Sequence, residues 1–218
     1  MTDLFPAADF DDWAESYDAS VVGSRGFPFE GYDQVLDTIV GYAAVQPGMK
    51  VLDLGTGTGL LAGKFDALGC RLWGTDFSQA MLQKARARLP QAHFLIHDLR
   101  QQWPAELNLR FDRIVSGYVF HHFEDGKKVE LILDLVHNRL APGGKLVIGD
   151  IGFETLQDWQ AAEEIAGSEW EKEFYWTASW MVPELQKKSL RIVYKQVSFC
   201  AGVYCIELPD ETRKAGMK

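Results

Sequence analysis

The sequence predicts an α/β chain, a mainly parallel sheet with helices on both faces, and two features carry that prediction. Short β-branched or Leu-rich runs alternate with helix-length segments of mixed polarity. The first of these runs also ends in a glycine-rich turn. Such alternation leaves a parallel sheet that must be covered on both sides. Ahead of the sheet, Phe10, Trp13, Ala14 and Tyr17 recur with the spacing of one helical face, and Val35, Leu36, Ile39 and Val40 mark a second helix that Pro47 and Gly48 stop. Strands are expected at 51–54, 71–75, 93–96, 112–117 and 145–150. Residues 153–182 hold Trp159, Trp170, Trp176 and Trp180 among many glutamates and read as a helical insertion over the sheet edge. Runs near 190–197 and 201–208 close the chain as an antiparallel hairpin, and the tail from Asp210 reads as frayed. The expected organisation is one domain over 1–218: a helical cap at 1–45, a ligand-binding core at 46–152, the insertion at 153–189 and the hairpin at 190–208.

The 218 residues carry 22 Lys and Arg against 31 Asp and Glu, and the formal charge of −9 opposes the cationic footprint that a nucleic-acid backbone demands. A chain of this length buries roughly 70% of its unfolded surface and needs neither disulfide nor metal to hold a core. Cys70, Cys200 and Cys205 agree, since an odd count without a CxxC pair suits a reducing compartment. No apolar run is long enough to span a membrane, and the Asp-rich start is neither a signal nor a transit peptide. A soluble, cytoplasmic protein is expected.

The chemistry begins at VLDLGTGTG, where an apolar strand runs into Gly55, Gly57 and Gly59. Glycines permit a tight turn and close approach to a ligand, and the helix that follows aims free N–H groups at it. A dinucleotide fingerprint would need its third glycine where Leu60 stands. Asp53 lies just ahead of the turn, a poor neighbour for a pyrophosphate but a good acceptor for an ammonium or hydroxyl, so a ligand with a positive end is expected. Asp76 ends the second strand, placed to accept the hydroxyls of a ribose. Ser78 reads as the N-cap of a helix bearing Met81, Ala85 and Leu89 on one face. Asp98 ends the third strand, suited to an exocyclic amine.

As a set, VLDLGTGTG, GTDFS, HDL, FDRIVSGYVFHHF and LAPGGKLVIGD resemble the motif series of the class I S-adenosylmethionine-dependent methyltransferases over roughly residues 10–150. The resemblance implies a Rossmann-like, seven-stranded methyltransferase sheet with an antiparallel last strand, and S-adenosylmethionine lying across the strand tips. It implies that Gly55, Thr56, Gly57 and Gly59 border the methionine moiety and that Asp53 approaches its amino group. Asp76 would hold the ribose, with Ser78 and Met81 beside it. Phe77 and Leu99 would enclose the adenine, Asp98 would accept from its amine, and Ser116, Gly117 and Tyr118 would form the floor beneath the sulfonium. FDDWAESYD resembles the cap helix of free-standing bacterial small-molecule methyltransferases, in which aromatics such as Trp13, Tyr17 and Tyr32 close over the cofactor. The whole chain is most similar to a bacterial group associated with methionine-to-cysteine sulfur recycling.

His121, His122 and Asp150 are the candidate catalytic residues, at strand tips where ligands bind. An unperturbed histidine titrates near neutral pH and can serve as a base if the acceptor arrives protonated. No metal is expected: His121, His122, Glu124 and Asp125 show no HxxxH spacing, and neighbouring side chains seldom converge on one ion. Residues 116–119 read Ser-Gly-Tyr-Val and lack the Asn/Asp-Pro-Pro-aromatic signature of relatives that methylate nitrogens of DNA and protein. The reading is methyl transfer to a small-molecule acceptor, with no nucleic-acid or membrane partner. A non-catalytic S-adenosylmethionine-binding regulator and, behind it, an NAD(P)-dependent oxidoreductase are the alternatives. The Trp-rich insertion either roofs the acceptor pocket or packs as core.

Overall fold

A computed structural model of the chain describes residues 6–209; the tail from Asp210 lies outside the described residues. Strands β1 (Lys50–Leu54), β2 (Arg71–Asp76), β3 (His93–Ile96), β4 (Phe111–Gly117), β5 (Leu140–Phe153), β7 (Arg191–Gln196) and β8 (Ala201–Glu207) form one sheet in the order β3-β2-β1-β4-β5-β8-β7. The first five are mutually parallel, while β8 runs antiparallel to both β5 and β7 between them. The last strand is thus antiparallel, as expected. A two-residue strand, β6 (Trp176–Thr177), adds to the end of β5 off this path.

Side chains alternate across the sheet. Val51, Val115, Val147 and Val203 face one core with Val35, Leu36 and Ile39 of α3 (Tyr32–Ala43) and Phe65 of α4 (Leu60–Asp66). Leu52, Ile114, Ile148 and Tyr204 face the other, with Ile132 of α6 (Asp125–Asp134) and Met181 and Leu185 of α8 (Ala178–Lys187). Both faces are buried, which is why these strands read as continuous apolar runs rather than alternating ones.

Chain order reverses at β1. The path β1, α4, β2, α5 (Gln79–Arg88), β3 leads one way, and β4 then returns to the other flank of β1. Connections leaving the C-terminal ends of β1 and β4 therefore diverge, and the crevice between them is where an open α/β sheet binds ligands.

Three elements depart from the sequence reading. The first predicted helix is two: α1 (Ala7–Trp13) and α2 (Tyr17–Val21) with a turn between, so Phe10 and Tyr17 do not share one continuous face. The second helix ends at Ala43, where Ala44 adopts φ 46°, and Pro47 and Gly48 belong to the turn into β1. The insertion is α7 (Leu156–Ala166), a loop, β6 and α8, and β5 runs on past Asp150 to Phe153 because its end still pairs with β6 and β8. Its tryptophans are mostly packing residues: Trp176 is 1% exposed and stacks on Tyr204, while Trp159 and Trp170 meet edge to face against the α3 core.

Candidate functional site

A cavity of about 550 Å³ occupies the crevice. Its floor comes from the turn after β1. Gly55 has φ 64°, and a Cβ there would fall 2.3 Å from Val119, so any side chain collides with the turn after β4. Gly57 has φ 54° and nothing within 4 Å of a would-be Cβ, so its backbone is open to the cavity. Asp76 binds this turn to the next: one carboxylate oxygen accepts the Gly57 N–H at 2.8 Å and the other the Ser78 N–H at 2.9 Å. Burial pushes Asp76 up to about 6 despite these bonds.

Below the glycine turn a recess of about 20 Å³ holds Asp53, Tyr17, Tyr32 and Thr56. Asp53 is 1% exposed; its Oδ2 accepts from the Thr56 hydroxyl at 2.7 Å, while its Oδ1 has no hydrogen-bond partner among the described residues. Burial raises its pKa to about 7. A buried carboxylate with one oxygen unserved favours a ligand that brings a cationic donor.

The opposite wall follows β4. Tyr118, at φ 57°, turns the chain out of the strand, its N–H donating to Gly149 at 2.8 Å and its ring stacking on Tyr32 with centroids 5.2 Å apart. A 3₁₀ turn over Phe120–His122 then presents two histidines. Asp150 grips His121 twice, accepting its backbone N–H at 2.8 Å and meeting ring Nδ1 at 2.5 Å. Burial pulls the His121 ring down, but the charge and hydrogen bond of Asp150 outweigh it and the net shift is upward. His122 is driven down to about 4 by burial and then by its charged neighbour. Glu173 completes the group, its oxygens 3.7 Å from His121 Nε2 and 3.6 Å from His122 Nδ1.

The roof is α1 and α2. Phe10 meets Phe77 edge to face at 4.9 Å and His122 at 5.7 Å, and Trp13 meets Tyr17 at 4.7 Å. Polar contacts hold it down: Asp11 accepts from the Ser78 hydroxyl at 2.6 Å and the Ala80 N–H at 3.0 Å. Asp18 accepts from Thr58 and pairs with Arg88, and Glu15 pairs with Lys84 at 3.0 Å.

A profile described as a methyltransferase domain matches residues 51–144. Over 214 residues the chain is 31% identical to an uncharacterized methyltransferase of Geobacillus kaustophilus, spanning 93% of this chain and 96% of that one. This chain belongs to the class I S-adenosylmethionine-dependent methyltransferases. The methyltransferase is also 34% identical over 163 residues to the uncharacterized methyltransferase YrrT of Bacillus subtilis, covering 73% of this chain and 74% of the relative. Its fold matches the structure of a DhpI–SAH complex, with TM-score 0.70 and 19% identity over 93% of this chain and 94% of that one. It likewise matches the magnesium protoporphyrin IX methyltransferase of Synechocystis with bound SAH, at TM-score 0.69 and 17% identity over 94% of this chain and all of the other. A nicotinamide-dependent oxidoreductase is thereby set aside.

Of the residues expected to hold the cofactor, Trp13, Tyr17, Gly55, Gly57, Asp76, Phe77, Met81, Asp98, Leu99, Gly117 and Tyr118 line the methyltransferase's main cavity, and Asp53, Thr56 and Tyr32 line the recess below it. Three lie elsewhere. Gly59 backs onto α5, where a Cβ would sit 3.4 Å from Ala85. Ser78 is fully buried as the cap of α5, accepting the Met81 N–H at 3.1 Å. The Ser116 hydroxyl is spent on the Leu54 carbonyl at 2.9 Å, tying β4 to β1. Asp98 reaches the cavity, but both its oxygens accept from Arg100 Nε, at 2.9 and 3.0 Å.

Phe10 lines the cavity with Trp13 and Tyr17, whose face it shares in the sequence reading; that reading missed Phe29, His97, and above all Glu171 and Glu173, which are what the insertion contributes in place of its tryptophans. Lys128 on α6 fixes that segment: wholly buried, it donates to Asp125 at 2.8 Å and to the Phe174 carbonyl. No spacing reveals such a contact.

Asp76→Ala is expected to weaken S-adenosylmethionine binding on the order of 10- to 100-fold, since charge-assisted hydrogen bonds contribute about 1.5–3 kcal/mol. Calorimetry on the folded variant checks this; an unchanged dissociation constant contradicts the assignment.

Proposed function

We propose that the enzyme transfers the methyl group of S-adenosylmethionine to a small molecule bound beneath the same roof, and that His121 and His122 form the acceptor side, with the buried Asp150 holding His121 from behind rather than lining the cavity. The observation that carries this is continuity: one cavity runs from Gly57, Asp76 and Phe77 to His121, His122 and Glu173 under Phe10 and Trp13. Its volume lies within the roughly 300–1,000 Å³ of small-molecule sites, leaving little room for a macromolecular acceptor once a cofactor is bound. The carboxylates Asp9, Glu171 and Glu173 on its walls weigh against a nucleic-acid acceptor. No helix among the described residues is long and apolar enough to cross a membrane. The three free thiols suit action in the cytoplasm.

Cofactor placement follows the unserved Asp53 oxygen and the residues that line the cavity beyond it. Asp53 takes the ammonium of the methionine moiety, Asp76 the ribose, and Phe77 and Leu99 the adenine. Transfer from a sulfonium is downhill, so the protein's work is alignment: a lone pair of the acceptor forms the new bond to carbon as the carbon–sulfur bond breaks. The released pair returns to sulfur, leaving S-adenosylhomocysteine. Asp150 fixes the ring of His121 with Nδ1 turned inward, which leaves Nε2 on the side of Glu173.

The purified protein is expected to bind S-adenosylmethionine and S-adenosylhomocysteine with micromolar affinity and to ignore NAD and ATP. Titration calorimetry measures this, and incubation of labelled cofactor with a small-molecule extract, resolved by mass spectrometry, identifies the methylated product. Tighter binding of NAD would overturn the reading, as would label appearing only in macromolecules.

A further inference from the structure

We infer that His121, His122 and Glu173 form a binding site for a divalent ion of the zinc type, open toward the cofactor, where an acceptor's thiol or hydroxyl completes the coordination. The inference rests on the proposed methyl transfer and says how the acceptor is prepared. The candidate ligand atoms of the three side chains all lie within 4.8 Å of one another. The two gaps to Glu173, 3.7 Å from His121 Nε2 and 3.6 Å from His122 Nδ1, are too long for good hydrogen bonds. They are close to the roughly 3.3–3.6 Å that separates neighbouring ligands around a tetrahedral ion with bonds of about 2.0–2.2 Å.

The support behind the ligands has the same character. Asp150 holds His121 Nδ1 at 2.5 Å and its backbone N–H at 2.8 Å, the carboxylate–histidine arrangement that fixes the tautomer of a metal-bound imidazole and directs its other nitrogen forward. Lys128 anchors the Phe174 carbonyl and so seats Glu173 from behind. Two adjacent histidines converge because the 3₁₀ turn brings their ring centroids to 4.0 Å, and the third ligand comes from the irregular segment between α7 and β6.

The chemistry is consistent with the reaction. Three protein ligands leave a position for a fourth, the arrangement of catalytic rather than structural zinc sites. An ion there lowers the pKa of a bound thiol or hydroxyl, whose proton leaves to solvent before the lone pair attacks the methyl carbon. It would also neutralise the negative wall that Glu171 and Glu173 otherwise present to an ionised acceptor.

The test is cobalt(II) titration of the full-length, metal-stripped protein, read by visible absorption and calorimetry and displaced by zinc. One ion per chain is expected, with bands of a four- or five-coordinate site. Affinity should fall at least about 100-fold in both Glu173→Gln and His122→Asn, and about 10- to 100-fold in Asp150→Asn, the usual cost of losing a supporting carboxylate. It should stay unchanged in His137→Ala, which alters an exposed histidine elsewhere. Absence of binding overturns the inference, as does binding that survives both ligand variants. S-adenosylmethionine affinity, measured on the same metal-stripped samples, reports separately on the proposed function: cofactor binding without cobalt binding removes only the metal site.

Discussion

Deleting residues 1–20 is expected to leave a folded sheet that binds S-adenosylmethionine about 30- to 100-fold more weakly and turns over little. Among residues 6–20 only Ala14 is buried, with Trp13 and Tyr17 partly buried against the α3 core, so the deletion takes a limited share of that core and nothing from the other. What the deleted segment covers is the cavity, through Phe10, Trp13 and, from α2, Tyr17. Losing three half-buried aromatics from around a ligand removes on the order of 2–3 kcal/mol of apolar burial, which converts to that range of affinity. The fall in turnover should be larger, because the roof also excludes water from the sulfonium and narrows the acceptor's approach. Melting temperature and cofactor dissociation constant, measured on the truncated protein, separate a roof from a packing element. A large drop in the first with no change in the second would reject the roof.

Asp53→Asn should reduce cofactor affinity on the order of 100-fold at pH 8 and remove the part of its pH dependence that lies near pH 7, because truncating one partner of a buried charged pair costs about 3–5 kcal/mol and the amide retains part of that. In the free wild-type protein, burial raises Asp53 to about 7, with Asp76 at about 6. A cationic ligand needs the ionised form, so affinity should rise by up to about tenfold per pH unit between pH 5.5 and 6.5 and level off above 7. For stability the sign is opposite. A carboxyl whose pKa is raised on folding contributes stability that is complete below its unfolded value of 3.8 and is lost as pH rises through about 7. The free protein should therefore weaken over that interval, and the thermal shift produced by S-adenosylmethionine should be larger at pH 8 than at pH 5.5. A pH-independent dissociation constant would dissociate Asp53 from the ligand's charge.

The strands, the glycine turn and the carboxylates at the strand tips were legible because each is a local pattern: an apolar run, a turn, an acid. Asp53, Asp76 and Gly57 fall where that pattern puts them, since a parallel sheet brings successive strand ends to one edge. Ser116 and Gly59 look identical in sequence to pocket residues, yet their neighbours across the sheet and on α5 claim them. The break between α1 and α2 was hidden by a spacing that suits one helix, although Asp11 reaches the α5 N-terminus while Asp18 reaches Thr58. Glu173 was illegible for a different reason. Its segment has no regular structure, and contacts invisible to spacing decide where it lies, among them Lys128 bonded to the Phe174 carbonyl and the Phe174 N–H donated to the His121 carbonyl.

Phe10 touches Phe77 on one side and His122 on the other. On the proposed placement, α1 therefore leans on both halves of the reaction at once, and the roof is fastened by Asp11 of α1 to Ser78 and Ala80 at the start of α5 and by Asp18 of α2 to Thr58 in the glycine turn. If cofactor and acceptor lie as proposed, any opening wide enough to release the spent cofactor also uncovers the methylated product, and the two departures share one doorway. Their rates should respond together to a change in its latch: weakening Asp11 or Asp18 should speed both exits, at the expense of how long a correctly aligned pair stays enclosed.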